Sequence, residues 1–162
     1  MDTLIDIFNL GMYRKYQQAL PDKEGVVLNL GAGKKKIEKA FSIDYPEWDA
    51  EEDPIPFGDN TVDMIHCYHL LEHIANVYYV LGEIERILKP GSHVNIVVPY
   101  YSSNIMAQDP DHKTAFSEHT WRTIFDTSRY TKDKVRPMSV HTNFIMGDEE
   151  KNIILLTQLV KL

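Results

Sequence analysis

Three groups of residues in this 162-residue chain have types and spacings suited to chemistry. The first is Gly31-Ala32-Gly33, which follows the apolar run Val26-Val27-Leu28-Asn29-Leu30. A buried parallel strand reads as such a run, and glycines just past its end let the backbone approach a ligand where side chains would clash. The second is Asp44, a carboxylate ending the next apolar stretch, placed to accept hydrogen bonds from a ribose diol. Together they specify a nucleotide-like cofactor at the carboxyl edge of a parallel sheet. The third is a set of imidazoles, His66, His69, His73 and His112, with Glu72 among them. Histidine titrates near working pH and suits general-base work. His69 and His73 would share a face if helical, but a lone i, i+4 pair without a third ligand at a recognisable spacing specifies no metal, and none is expected.

The elements that must position these groups follow from periodicity. Strands are predicted over Val26–Leu30, about Ala40–Asp44, Val62–Cys67 and His93–Val98. Lys34 to Ser42 leaves room for at most a short helix. Ala75–Leu88 carries Val77, Val80, Leu81, Ile84, Ile87 and Leu88 at helical spacing and closes on Lys89-Pro90-Gly91. Leu4, Ile5, Phe8, Met12, Tyr16 and Ala19 predict an N-terminal helix over 3–19, ended by Pro21. Residues 117–127 predict a helix with Ser117 as its cap and a buried stripe of Trp121, Ile124 and Phe125. Met138–Met146 and Asn152–Val160 predict a terminal antiparallel hairpin around Gly147-Asp148-Glu149-Glu150. Strand–helix alternation followed by that hairpin predicts an α/β chain with a Rossmann-like, doubly wound, mostly parallel sheet. The chain reads as one domain: helix 3–19, a cofactor-binding core over 25–100, and a helix and hairpin over 117–161.

Bulk properties narrow the partners. Formal net charge is −7, which disfavours a phosphate-backbone ligand; the main basic cluster, Lys34-Lys35-Lys36, sits beside the glycines. One cysteine, Cys67, provides no internal disulfide framework and fits a reducing compartment. The first residues carry no basic, apolar leader pattern, and no run approaches the ~20 apolar residues that span a bilayer. A cytoplasmic location with no membrane partner is the expectation.

Several further segments carry a resemblance. Pro54-Ile55-Pro56-Phe57-Gly58-Asp59-Asn60-Thr61-Val62-Asp63 precedes Leu71-Glu72-His73-Ile74, then Glu83-Ile84-Glu85-Arg86-Ile87-Leu88-Lys89-Pro90-Gly91, then Val97-Val98-Pro99 and Asp109-Pro110-Asp111-His112. With the glycines and Asp44, they resemble the class I S-adenosylmethionine-dependent methyltransferases, and most closely their small type 11-like branch, over about residues 25–120. The resemblance implies that Gly31, Ala32 and Gly33 receive the carboxylate of the cofactor's amino-acid end at a helix N-terminus. It implies that Asn29, where the family usually has an acid, faces the ammonium. Asp44 would hold the ribose, Asp49 the adenine, and Tyr45 or Trp48 a ring face. Cys67 and Tyr68 would sit where the methyl group emerges. Methyl transfer needs a base only when the nucleophile must lose a proton, and His69 and His112 are the candidates, whereas His66 reads as a core histidine and His73 as structural. The implied acceptor is a small molecule, sugar or nucleotide-sugar.

Only about seventeen residues separate Asp44 from Val62, where larger relatives fit two helices and a strand, so the site should be open or completed by a second subunit as a homodimer. A catalytically weak or inactive methyltransferase-like binding or regulatory module is the competing reading. A nicotinamide oxidoreductase is disfavoured because Lys36 stands where its third glycine belongs.

Overall fold

The computed structural model describes residues 25–129 and 134–162. The helix expected over 3–19 lies outside them. Six strands form one sheet in the order β2-β1-β3-β4-β6-β5. They are β1 (Val27–Leu30), β2 (Phe41–Ile43), β3 (Val62–Tyr68), β4 (Leu88–Pro99), β5 (Met138–Gly147) and β6 (Ile153–Lys161). β1 pairs in parallel with β2 and β3, and β3 with β4; β6 runs antiparallel between β4 and β5. The chain leaves β1 toward β2 and then crosses back to β3 on the other side of β1. That reversal places a crevice outside the carboxyl tip of β1, where open α/β sheets bind ligands.

The four residues of β1 are buried, as the apolar run requires of a strand covered on both faces. The predicted helix after β3 forms as α1 (Val77–Ile87), with the Asn76 side chain accepting from the Tyr79 N–H. It buries Val77, Val80, Leu81, Ile84 and Ile87 against the sheet. Arg86 on α1 donates to the carbonyls of Ile55 and Phe57, to Glu83 and to Asp59, and Glu83 accepts from the Ile55 N–H. The Pro-rich 54–59 segment, which has no ladder of its own, is held to the helix by this fork.

Several expectations are corrected. The helix N-terminus that the resemblance implies behind the glycines does not form: residues 34–40 are turns and loop, within the limit of at most a short helix that the spacing set. The short span between the two strands leaves too few residues to cross and also wind a helix. β4 begins at Leu88, directly after α1, so Lys89-Pro90-Gly91 lies within the strand, where Val62 pairs with Leu88 across a register shift. The 99–113 loop contains a short helix, α2 (Asn104–Gln108), capped by Ser103. The predicted 117–127 helix is only α3 (Thr120–Ile124), and Ser117 does not cap it: its Oγ accepts from the His119 N–H. Trp121 and Ile124 are nevertheless buried, with the Trp121 indole N–H donating to Thr157. No helix among the described residues is long and apolar enough to cross a membrane.

His66, on the central strand, is buried, as read from its place there; its Nδ1 lies 2.7 Å from the Tyr68 hydroxyl. Burial first, and the neighbouring His93 second, push its pKa down to about 4. The unfolded imidazole titrates near 6.5, so the unfolded chain binds a proton that the folded chain refuses between those values. Stability should therefore fall as pH drops from about 6.5 toward 4, with a limiting slope of about 1.4 kcal/mol per pH unit. Urea unfolding of wild type and His66→Gln at pH 7, 6 and 5 checks this: the variant should lose that part of the slope.

Candidate functional site

Parallel register sets the site. Leu30 lies level with Ile43 on one side and Cys67 on the other, so β1, β2 and β3 end together. Gly31, Asp44 and the turn after Tyr68 thus meet at one edge. Gly31 (φ +64°) and Gly33 (φ +51°) both occupy the left-handed region, which glycine enters at no steric cost. The Gly31 N–H donates to the Ile43 carbonyl at 3.0 Å, continuing the β1–β2 ladder one step into the turn.

Asp44 does two jobs at this edge. Its Oδ2 accepts from the Gly33 N–H and its Oδ1 from the Tyr45 N–H at 2.8 Å. Each carboxylate oxygen has a second lone pair, which leaves capacity for a diol. Asn29 is 3% exposed, and its Nδ2 donates to the Lys35 carbonyl at 2.9 Å. An aspartate there would turn an acceptor toward that carbonyl, so the amide is the side chain that this loop conformation requires. Asn29 thus fastens the glycine turn from beneath. The expected helix dipole behind the glycines is absent, since no helix starts there.

Across from Asp44, β3 is followed by His69 (φ +54°), Leu70 and a 3-10 turn over Leu71–His73. The Leu70 side chain lies over Gly31: a Cβ there would meet it at 3.0 Å. Between the two sides opens a cleft of about 200 Å³, lined by Asp44, Tyr45, Trp48, Asp49, Leu70 and His73 among others. Asp49 reaches the cleft while its Oδ1 accepts from the Glu51 N–H. Glu51 closes the wall, accepting from the Ala75 N–H at 2.6 Å and from Lys113 Nζ. Those partners hold the Glu51 carboxyl below its ordinary range, the Ala75 amide most strongly.

Two predicted residues are not brought to this cleft. Cys67 is fully buried, and burial followed by the charge of Glu72 pushes its thiol pKa far up. Tyr68, one residue on, faces the opposite side of the sheet and packs with Val97, Ile154 and Leu156. The period-2 alternation of a strand allows only one of such a pair to face α1.

The imidazoles separate by place. His69 Nδ1 lies 3.3 Å from Glu72 Oε1, and Glu72 is 1% exposed. His69 Nε2 and Glu72 Oε2 are buried without a hydrogen-bond partner among the described residues. His69 and His73 do not share a helical face, because only Leu71–His73 winds as a 3-10 turn. Instead His73 packs edge-on against His112, with ring centroids 4.7 Å apart. That pairing is built by the 109–114 loop, whose Lys113 and Thr114 N–H groups donate to the Glu72 carbonyl. Sequence spacing carried no signal for it. A second hollow, of about 460 Å³, lies at the tip of β4 beside Tyr100, Tyr101, Phe116 and Glu118. There the Tyr100 hydroxyl donates to Glu118 Oε2 at 2.8 Å, which pushes the tyrosine pKa up to about 12.

Two substitutions test the turn. Asn29→Asp should lower stability by about 1–3 kcal/mol, the cost of an unmet buried acceptor. Gly31→Ala should cost about 1–3 kcal/mol through crowding and positive φ, and Leu70→Ala in the same chain should recover the crowding share. Denaturant midpoints of the single and double variants measure both.

Comparison with known proteins completes the site. Residues 25–96 match the methyltransferase domain family. Over 80 residues the chain is 32% identical to the ubiquinone/menaquinone biosynthesis C-methyltransferase UbiE of Desulfotalea psychrophila, covering 49% of this chain. The match spans about a third of that relative's length (32%). Among solved structures, a chain of the complex between the Haloferax volcanii Trm112 methyltransferase activator and its methyltransferase superposes with a TM-score of 0.72 at 18% identity, covering 96% of this chain and 91% of that one. An S-adenosylmethionine-dependent methyltransferase of Aquifex aeolicus gives 0.64 at 18% identity, covering 92% and 89%. At these identities the structural likeness speaks for the fold. S-adenosylmethionine is the cofactor that this family implies, and the Asp44 carboxylate beside a glycine turn fits its ribose. Residues 25–96 thus carry the match to the methyltransferase domain family, and the described sheet has the fold of the solved S-adenosylmethionine-dependent methyltransferases on which it superposes.

Proposed function

We propose that this chain is a cytoplasmic enzyme that binds S-adenosylmethionine across the tips of β1, β2 and β3 and methylates an oxygen or nitrogen of a small molecule, sugar or nucleotide-sugar. The observation that carries the reading is Asp44, held by two backbone amides at the one sheet edge where β1 turns on glycines. Fixing the carboxylate in advance removes the entropy that a mobile acid would lose on gripping a ribose. Asp49, Trp48 and Tyr45 would border the adenine, and the Gly31–Gly33 turn the amino-acid end.

When bound, the cofactor supplies an activated methyl carbon open to in-line displacement. The protein's share is mostly positioning. His69 is the candidate base whose ring a buried carboxylate orients, and its buried Nε2 must be uncovered for an acceptor to reach it. Glu72 accepts from its Nδ1–H, which leaves the lone pair on Nε2, the arrangement by which a carboxylate orients a base. His112 stands nearby on the 109–114 loop, its Nε2 3.6 Å from Asp109. The hollow beside Tyr100 and Glu118 is large enough for an acceptor of sugar size.

Two observations support the second reading, a binding module that transfers methyl weakly. Asn29 is committed to the Lys35 carbonyl, and Leu70 covers Gly31, so the floor beneath the amino-acid end is partly filled. Calorimetric titration with S-adenosylmethionine and its demethylated product separates the readings from a chain with no such ligand. Saturable heat with both is the expected outcome, and no heat with either would end the cofactor assignment. Asp44→Ala should weaken binding by about 1–3 kcal/mol. Unchanged affinity in that variant would move the ribose elsewhere. A labelled-methyl screen of small hydroxyl and amine acceptors then decides whether His69→Gln, with cofactor affinity retained, lowers turnover as a base variant should.

A further inference from the structure

Glu72, His73 and His112 come together from two separate segments, and each offers one donor atom. The three donor atoms lie within 4.8 Å of one another. Two ligands of a tetrahedral ion at ordinary zinc distances of about 2.0–2.2 Å stand about 3.3–3.6 Å apart, so closing on an ion draws the donor atoms together by about 1.5 Å at most. We propose that these residues form a binding site for a divalent transition-metal ion, of which zinc is the representative, at the edge of the cofactor cleft.

Three independent features of the surroundings point the same way. Glu72 is 1% exposed, and its Oε2 is buried without a hydrogen-bond partner among the described residues. Among the described residues its other oxygen meets the His69 imidazole at 3.3 Å, and the nearby Lys113 ammonium is spent on Glu51. A buried carboxylate in such a place is costly without a countercharge, which a divalent ion provides.

The second feature is the orientation of His112. Its Nδ1 lies 3.2 Å from the Met106 carbonyl oxygen. A carbonyl can only accept, so Nδ1 carries the hydrogen and the neutral ring presents its lone pair at Nε2. Metal-ligating histidines are oriented in this way, through the ring nitrogen that does not touch the ion. Among the described residues Asp109 pairs with Nε2 at 3.6 Å, and it is itself 44% exposed; it would pair with a protonated ring or serve as a further ligand.

The third is that the two segments are locked together without the ion. The Lys113 N–H donates to the Glu72 carbonyl at 2.7 Å, and the Thr114 hydroxyl donates to the Ile74 carbonyl at 2.7 Å. The ligands are thereby held on a fixed frame, which lowers the ordering cost of binding. Two imidazoles and one carboxylate suit zinc and the neighbouring first-row ions better than magnesium or calcium, whose preference is for oxygen. Three protein ligands leave coordination positions open. Because His73 also lines the cofactor cleft, an ion here would face the place where an acceptor enters. That role rests on the methyltransferase reading, whereas the binding of metal does not.

The test is calorimetric titration of the full chain, freed of any affinity tag and of cofactor, with zinc chloride. One equivalent should bind, and Glu72→Gln and His112→Gln should each weaken binding at least tenfold while far-ultraviolet circular dichroism stays unchanged. Should Glu72→Gln fail to fold, the half-exposed His73→Gln reads the same ligand set. Cobalt(II) should give visible d–d absorption that excess zinc removes. Less than a tenth of an equivalent bound by wild type, or variants that bind zinc as wild type does, would overturn the proposal. Titration with the demethylated cofactor product is run separately. Product binding without zinc binding sinks the metal site alone, and zinc binding without product binding sinks the cofactor reading alone.

Discussion

The constraint on which this structure depends is the level ending of three parallel strands. β1 lies between β2 and β3, and the pairing of Leu30 with both Ile43 and Cys67 makes their carboxyl ends coincide. Each chain segment leaving that edge must turn immediately. The three turns that result, at Gly31, at Asp44 and at His69, therefore face one another. A slip of one residue in either pairing would flip a strand's side chains to the other face and send its turn elsewhere.

With few helices among the described residues, the segments around the site are held mostly by single side chains that reach backbone groups. Asn29 fastens the glycine turn, Arg86 and Glu83 the 54–59 segment, Glu51 the start of α1, and Asn143 the Glu118 carbonyl. Each bond satisfies a backbone group that regular secondary structure would otherwise have satisfied. This economy explains how a crossover without a helix can still present an ordered edge. It also accounts for a buried amide at position 29. The turn has no helix to hold its carbonyls, so an amide donor takes over that work.

Burial separates the titratable groups along the same edge. His66 and Cys67 lie inside the sheet and are held uncharged by it, while Asp44 sits at the rim, satisfied by amides yet half-exposed. Glu72 is the exception, a carboxylate inside the protein with an oxygen left unmatched. Its neighbours His73 and His112 give that carboxylate a chemical context that neither the strand pattern nor the glycine motif supplies.

Much of the fold was legible in the residues themselves. The apolar run to Leu30, the stripe from Val77 to Ile87 and the alternation in the terminal hairpin are local patterns, and local patterns report which face of an element is buried. Gly31 and Asp44 were legible for the same reason, because a strand end and its turn are neighbours in sequence. The extent of β4 was not, since the stop signal at Lys89-Pro90-Gly91 ends the helix but does not say that Leu88 before it already pairs with Val62, as His93 after it pairs with Met64. The lack of a helix after β1 was partly legible, since the span from Lys34 to Ser42 left room for at most a short one. The division of Cys67 from Tyr68 required knowing which face of the sheet α1 covers. The meeting of Glu72 and His73 with His112 was likewise a tertiary outcome. Residues some forty positions apart approach only because two turns leave neighbouring strands in the same direction, and the packing of those strands, not any spacing along the chain, fixes that direction.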